Sequence, residues 1–89
     1  MIDYQKYNLD EDDIDFIKRM EDYCIGGQSE LVLLYNGHSF VIEPSGTELT
    51  VVDRTGTVGE YANFDDLLLG HRIEGKPLIE LIKNLDFGE

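Results

Sequence analysis

Residues 30–62 read ELVLLYNGHSFVIEPSGTELTVVDRTGTVGEYA, and this stretch decides the fold. Asn36-Gly37 within it is a strong hairpin signal, because a type I′ turn requires positive φ at both central residues. A strand over Leu31–Tyr35 is therefore expected before the turn, and a return strand over residues 38–43 after it. Every residue of the first strand is apolar, which predicts that it is covered on both faces.

The segment that follows extends the hairpin into a meander. Residues 44–47, Pro-Ser-Gly-Thr, are a second turn signal, and a third strand is expected over Glu48–Asp53. A short fourth strand over residues 58–62 is the last expected element of this kind. Strands at such short spacing indicate an antiparallel sheet of three or four strands.

A helix is predicted before the sheet. Asp10 is a suitable N-cap for it, because its carboxylate can accept hydrogen bonds from the free backbone amides of the first turn. Gly26 and Gly27 indicate where the helix ends. Apolar residues recur at spacings of three and four along the helix, and we expect this stripe to be buried. The stripe consists of Ile14, Ile17, Met20 and Cys24.

Two further helices are predicted after the sheet. Residues 63–66, NFDD, resemble a capping box that leads into a short helix ending at Gly70. After a loop over residues 74–76, Pro77 suits the first position of a last helix. The residues expected on the buried side of that helix are Leu78, Leu81, Ile82 and Leu85.

The chain is thus predicted to be a single α+β domain that spans residues 1–89. It consists of an N-terminal helix, a three- to four-stranded antiparallel β-meander and two C-terminal helices packed on one sheet face. A chain of 89 residues buries only about 60–65% of the surface that it exposes when unfolded. The core is therefore small, and each buried side chain contributes noticeably to stability.

The charge of the chain restricts its partners. Nineteen acidic residues against seven basic ones give a net charge of −12 at pH 7. An excess of negative charge repels nucleic acid and anionic membranes, and it favours basic proteins. Direct binding of DNA or RNA requires a basic surface, which this composition does not supply.

Cysteine content and hydropathy predict a cytoplasmic protein. Cys24 is the only cysteine, so no internal disulfide is expected, and a free thiol fits a reducing compartment. The acidic N-terminus lacks the apolar core of a signal peptide. The longest fully apolar run, Leu31–Tyr35, is far shorter than a membrane span.

Residues 53–57, DRTGT, resemble DKTGT, the phosphorylation motif of the cation-pumping P-type ATPases. In that family the aspartate is a nucleophile that accepts a phosphoryl group, and it relies on a parallel doubly wound sheet and a distant magnesium-binding aspartate pair. Here the flanking segments are predicted to be antiparallel, and no Asp-Gly-x-x-Asp follows. We therefore interpret residues 54–57 as a turn between two strands, with Gly56 at positive φ.

No other group of residues predicts a catalytic or metal site. Residues 10–21 fail as an EF-hand loop, because an isoleucine and an aspartate occupy the fifth and sixth places. His38 and His71 are expected on the surface rather than at a zinc ion. Cys24 is expected to be a small buried apolar residue. The chain is predicted to be no enzyme and to hold no metal or cofactor.

Three segments of the chain carry a family resemblance. They are the hairpin formed by residues 30–37 and 39–42, the sequence FDDLL at 64–68, and IEGKPLIELI at 73–82. Together they resemble a group of small uncharacterised bacterial α+β proteins with a YNG hairpin and a C-terminal IxGKxL helix. The resemblance implies a turn, a cap and a helix face, and it assigns no functional residue.

The leading functional hypothesis is an acidic, non-catalytic domain that binds a basic protein. Inhibitors and immunity-type proteins of nucleases have this profile, because negative surface speeds association with a basic cleft. A DNA mimic, in which carboxylates replace phosphates, is a narrower version. The alternative is a self-associating accessory domain, that is, a homo-oligomer that enlarges a small core by pairing. The predicted partner-binding residues lie on the first helix: Glu11, Asp12, Asp15, Glu21 and Asp22.

Overall fold

The hairpin at Asn36-Gly37 is present in a computed structural model, which describes residues 2–88. Strand β1 (Leu31–Tyr35) pairs antiparallel with β2 (His38–Ser45), with Leu33 opposite Phe40. Asn36 and Gly37 have φ of 50° and 81°, so both central residues of the turn lie in the left-handed region. The predicted turn is confirmed, and the return strand is two residues longer than expected.

The meander continues through two more strands. Strand β3 (Glu48–Asp53) has the predicted bounds and pairs with β2. Strand β4 (Gly56–Tyr61) pairs with β3 and begins two residues earlier than predicted. The register between them shifts at Val51/Val52, where Val58 is the extra residue of a β-bulge.

A small separate hairpin replaces the loop predicted after Gly70. Strand β5 (Arg72–Ile73) pairs with β6 (Lys76–Pro77) through a turn at Glu74 and Gly75, which have φ of 55° and 82°.

The predicted last helix is shorter than expected and ends in a strand. Residues Leu78–Asn84 form a 3₁₀ helix, and strand β7 (Leu85–Phe87) follows directly. Strand β7 pairs antiparallel with β1, with Leu85 opposite Tyr35, so the main sheet has five strands in the order β4-β3-β2-β1-β7. The placement of Leu85 in a helix is therefore wrong, although its burial, at 4% exposure, is confirmed.

The first helix begins and ends close to its predicted limits. Helix α1 (Glu11–Glu21) is capped by Asp10, whose Oδ1 accepts from the Asp13 amide at 3.0 Å, while Asp13 Oδ2 accepts from the Asp10 amide at 3.1 Å. This reciprocal pair satisfies two backbone donors at the helix start. A π-helical turn (Asp22–Gly26) extends the helix, and a short 3₁₀ turn (Tyr4–Tyr7) precedes it.

Helix α2 (Phe64–Gly70) follows the meander, and its cap is also confirmed, because the Asn63 side chain accepts from the Asp66 amide at 2.8 Å. Among residues 2–88, no helix is both long and apolar enough to cross a membrane.

The helices cover one face of the sheet, which we call the inner face. Its buried residues are Leu31, Leu33, Tyr35, Phe40, Ile42, Leu49, Val51 and Leu85. They pack in one cluster with buried residues of the helices, among them Ile17, Met20, Cys24, Leu67, Leu68, Leu78, Leu81 and Ile82. The α+β class and the antiparallel sheet are thus confirmed.

Among residues 2–88, no helix lies on the opposite side of the sheet, which we call the outer face. Its residues are Val32, Leu34, Ser39, Val41, Glu43, Ser45, Glu48, Thr50, Val52, Thr57, Glu60 and Asp86. None of these twelve residues is buried, and Leu34 is 36% exposed. The expectation that β1 is covered on both faces is therefore wrong, because all the helices lie on the inner side.

The C-terminal 3₁₀ helix provides a test of this packing. Leu81 is 2% exposed within the core, so Leu81→Ala should lower the free energy of unfolding by about 2–5 kcal/mol through lost burial and a residual cavity. Urea unfolding measures the change, and Glu80→Ala at the exposed neighbouring position is the control. A loss below about 0.5 kcal/mol, which is usual for surface positions, would show that this face is not buried.

Candidate functional site

The five acidic residues predicted to bind a partner are all exposed, but they do not form one patch. Successive residues of an α-helix turn by about 100°, so Glu11, Asp15 and Asp22 project from one side of the helix. Glu21 faces another way and lines a recess with Asp65 and other residues of the α2 N-terminus. The structure therefore brings three of the five predicted residues to one side of the helix, while Asp12 and Glu21 lie on its two opposite flanks.

Basic residues neutralise part of this acidic side. Arg19 Nε lies 3.2 Å from Asp15 Oδ2, one helical turn away. At the start of the helix, Lys83 bonds to the carboxylates of both Asp10 and Asp13. The Asp13 backbone amide, followed by Lys83, lowers the pKa of Asp10 below its usual range. Within residues 2–88, no ion pair involves Glu11, Asp12, Glu21 or Asp22.

The DRTGT segment is a turn, as interpreted from the sequence. Asp53 ends β3 and pairs with Gly56, whose φ is 113°. The Asp53 carboxylate accepts from the Thr55 amide at 2.7 Å and from the Thr55 hydroxyl at 2.5 Å. These two bonds lower the pKa of Asp53, the hydroxyl having the larger effect. Antiparallel strands on both sides replace the parallel sheet in which an aspartyl-phosphate motif operates.

Asp53 also lines a cleft of about 550 Å³ between the sheet and the β5–β6 hairpin. The cleft contains a polar pair that the sequence did not predict: the Tyr61 hydroxyl lies 2.8 Å from His71 Nδ1. His71 is only 6% exposed, so its expected surface position is wrong, whereas that of His38 is confirmed. Tyr61 and Phe40 lie beside the imidazole and exclude water from it.

Two glycines make room for this pair. The Tyr61 ring lies so close to Gly59 that a Cβ there would be 2.6 Å from its hydroxyl oxygen and 2.8 Å from a ring carbon. A Cβ at Gly70 would be 3.3 Å from another ring carbon. The residues GEY at 59–61 and GH at 70–71 are the sequence signal of this arrangement, and the two segments meet only in the folded chain.

The electrostatics of the cleft favour neutral side chains. Burial lowers the pKa of His71, and the nearby Asp53 carboxylate opposes this shift only in part. Burial also raises the pKa of Tyr61. At neutral pH the pair is therefore an uncharged imidazole and an uncharged phenol. The two groups share one hydrogen bond, and their remaining donor and acceptor positions can bond to a ligand.

The remaining candidate groups are structural. Cys24 is buried, and burial raises the pKa of its thiol to about 11, so the reactive thiolate is not formed at neutral pH. No group of three or more His, Cys, Asp or Glu side chains in the described part of the chain is arranged to hold a metal ion.

No family model matches the chain. Comparison with the curated proteins and with the solved structures gives no match either. The resemblance to small bacterial α+β proteins therefore stays a prediction.

The buried imidazole predicts a pH dependence of stability. Because the pKa of His71 is lowered in the folded state, the unfolded chain, with a histidine pKa of about 6.5, binds the proton more readily. The free energy of unfolding should therefore be nearly constant between about pH 7 and pH 8 and fall as the pH decreases towards about 5. Urea unfolding at several pH values measures this profile.

Matched variants assign that profile to one histidine. His71→Gln, which keeps a hydrogen-bonding group beside Tyr61, should flatten the profile between about pH 5 and pH 7. His38→Gln, at an exposed position, should leave the profile unchanged. The reverse pattern, with His38 responsible for the slope, would contradict the assignment.

The close contact at Gly59 yields a separate prediction. Gly59→Ala should displace the Tyr61 ring and break its bond to His71, at a cost of about 1–3 kcal/mol from overpacking. Gly26→Ala is the control, because a Cβ at Gly26 meets nothing within 4 Å. Urea unfolding gives the energies, and the nitrogen chemical shifts of His71 report its hydrogen bond. Equal stability of the two variants, with unchanged His71 shifts, would rule out the contact.

Proposed function

We propose that this protein is a non-catalytic interaction domain that binds a basic protein partner, as an inhibitor or immunity-type protein does. The observation that carries the proposal is the concentration of acidic residues around the first helix: residues 10–22 contain seven acidic and two basic residues, within a chain of net charge −12. Lys83 and Arg19 pair with part of this charge. Glu11, Asp12 and Asp22 are exposed, so their carboxylates are in contact with solvent.

Such a surface acts first on the rate of association. Exposed carboxylates attract a basic partner over roughly a Debye length, about 8 Å at physiological ionic strength. Opposite a basic substrate-binding cleft, they also occupy the place of phosphate groups. The narrower proposal of a DNA mimic requires carboxylates spaced like phosphates. The placement of Asp12 and Glu21 on opposite flanks of the helix, with Glu21 in the recess beside Asp65, argues against that version.

A cytoplasmic location belongs to this proposal, because Cys24 is the only cysteine of the chain and is a free thiol. The negative charge argues against direct contact with nucleic acid or anionic membranes.

Self-association is the second candidate function. The half-exposed side chains of Val32, Val41 and Val52, together with exposed Leu34, favour it, because they form apolar surface on the uncovered side of the sheet. Like charges on two copies of this chain oppose it, and dimerisation should therefore strengthen at high salt. Sedimentation equilibrium at two salt concentrations distinguishes this behaviour from a monomer.

The proposed function predicts a salt-dependent complex. The tagged chain should retain a basic protein from the lysate of its own cells at low salt and release it at high salt, and mass spectrometry identifies that protein. With the purified partner, replacement of Asp12, Asp15 and Asp22 by Lys should weaken binding about tenfold or more, since each exchange places like charge at the contact. The corresponding Asn variant should lose less affinity.

Urea unfolding of each variant shows whether the fold is intact. Affinity that is the same in the Lys variant and the unmodified protein would refute the α1 contact. Binding that does not weaken with salt would refute the electrostatic basis as a whole.

A further inference from the structure

The outer face of the sheet has a composition unlike the rest of the surface. Its twelve positions, all within the described strands, include four carboxylates and no lysine, arginine or histidine. The four acidic residues are Glu43, Glu48, Glu60 and Asp86, and all are exposed. Helix α1, in contrast, has Lys18 and Arg19 among its acids.

Cross-strand register orders these residues into rows. Val32 lies opposite Val41, Val41 opposite Val52, and Val52 opposite Thr57, which gives an unbroken β-branched row across four strands. A second row, Glu43 opposite Thr50 and Thr50 opposite Glu60, lies beside it.

A third row runs on the other side of the valines. Leu34 lies opposite Asp86 on one strand and Ser39 on the other. Arg54 follows β3 in the turn beyond the end of this row. The outer face therefore has an apolar centre with carboxylates on both flanks.

The dimensions of the central row limit what can lie on it. Neighbouring strands are about 4.8 Å apart, so four strands span about 14 Å, the length of about ten helical residues. With its flanking rows the face covers on the order of a few hundred Å². Its apolar part consists of Leu34 and the half-buried Val32, Val41 and Val52.

The charges decide between a second copy and a different partner. Two copies meeting through this face would bring Glu43, Glu60 and Asp86 of one chain towards the same carboxylates of the other. Arg54, which lies beside Ser39 at the end of the third row, supplies a single cation per chain against four carboxylates. A partner with an apolar ridge and basic residues on both sides can pack against the valine row and form ion pairs with the carboxylates at the same time.

We propose that the outer face is a binding site for a basic amphipathic segment, whose apolar side lies on Val32, Val41 and Val52 and whose lysines or arginines pair with Glu43, Glu60 and Asp86. This inference rests on the proposed function in taking the partner to be basic, and it adds a second contact surface to that of helix α1. The two surfaces lie on opposite sides of the sheet. Helix α1 meets the sheet at its β7 edge, where the Phe16 ring stacks on Phe87 with 4.4 Å between the ring centroids. Asp12, Asp15 and Asp22 lie on the helix and are not among the twelve outer-face positions.

The test uses the full chain and a synthetic amphipathic helix of about 14 residues made of leucine and lysine. Two variants are compared, each with three acids replaced by Lys. The outer-face variant carries Glu43→Lys, Glu60→Lys and Asp86→Lys, and the α1 variant carries Asp12→Lys, Asp15→Lys and Asp22→Lys. Each exchange adds two charges, so both variants change the net charge from −12 to −6, and non-specific attraction falls equally in both.

At physiological salt, calorimetry should show at least about tenfold weaker peptide binding by the outer-face variant and no more than about a twofold change by the α1 variant. A third variant, Val32→Thr, Val41→Thr and Val52→Thr, keeps the charge and the β-branched shape. It should bind the peptide at least about fivefold more weakly, since apolar burial is lost. Urea unfolding checks that each variant is folded.

Each other outcome overturns the inference. If the two Lys variants bind the peptide equally weakly and the Thr variant binds it as the unmodified chain does, the peptide is attracted by net charge only. This outcome leaves the proposed function in place. Greater weakening by the α1 variant places the contact on α1. Absence of peptide binding removes the outer-face site, while the salt-dependent partner of the whole chain is tested separately. If the unmodified chain dimerises and the Thr variant does not, the outer face binds a second copy of this chain and not a basic segment.

Discussion

The whole molecule depends on one constraint: the helices of a short chain cover only one face of its five-stranded sheet. Alternate residues of each strand point to opposite faces, so the inner face receives the large apolar side chains and the outer face does not. The C-terminal 3₁₀ helix contributes Leu78, Leu81 and Ile82 to the core, and β7 then adds the strand beside β1. In the described part of the chain no helix covers the other side, so its residues are in contact with solvent or with a partner.

The acidic residues serve two purposes within this architecture. Some stabilise local structure: Asp10 and Asp13 cap α1 and bind Lys83, and Asp53 fixes the β3–β4 turn through Thr55. These carboxylates are engaged in hydrogen bonds that lower the pKa of Asp10 and Asp53. Other acidic residues, on α1 and on the outer face, are exposed, and these are the carboxylates for which we propose a basic partner. The excess charge is therefore compatible with the fold because part of it stabilises turns and helix ends.

Local signals in the sequence predicted local structure well. The Asn36-Gly37 turn, the Asp10 cap, the bounds of β3 and the burial of Leu81 follow from neighbouring residues alone, and all are confirmed. Strand β7 was missed because Leu81, Ile82 and Leu85 also fit a helical period, and only pairing with the distant β1 makes residues 85–87 a strand.

The burial of His71 and the openness of β1 depend likewise on residues far away in the chain. Tyr61 reaches His71 only because Gly59 and Gly70 leave room for its ring. The apolar sequence Leu31–Tyr35 does not reveal that helices cover one side only, so the outer face was not predicted as a site.

The most direct test of one-sided coverage is methyl NMR of the dilute, partner-free protein in the presence of a soluble paramagnetic agent. The methyl groups of Val32 and Val41 should broaden strongly, since they lie on the uncovered face, while those of Leu33 and Ile42, which are fully buried, should remain sharp. Equal protection of both sets at a concentration where the chain is monomeric would mean that the outer face is covered by the chain itself, and it would contradict the account given above.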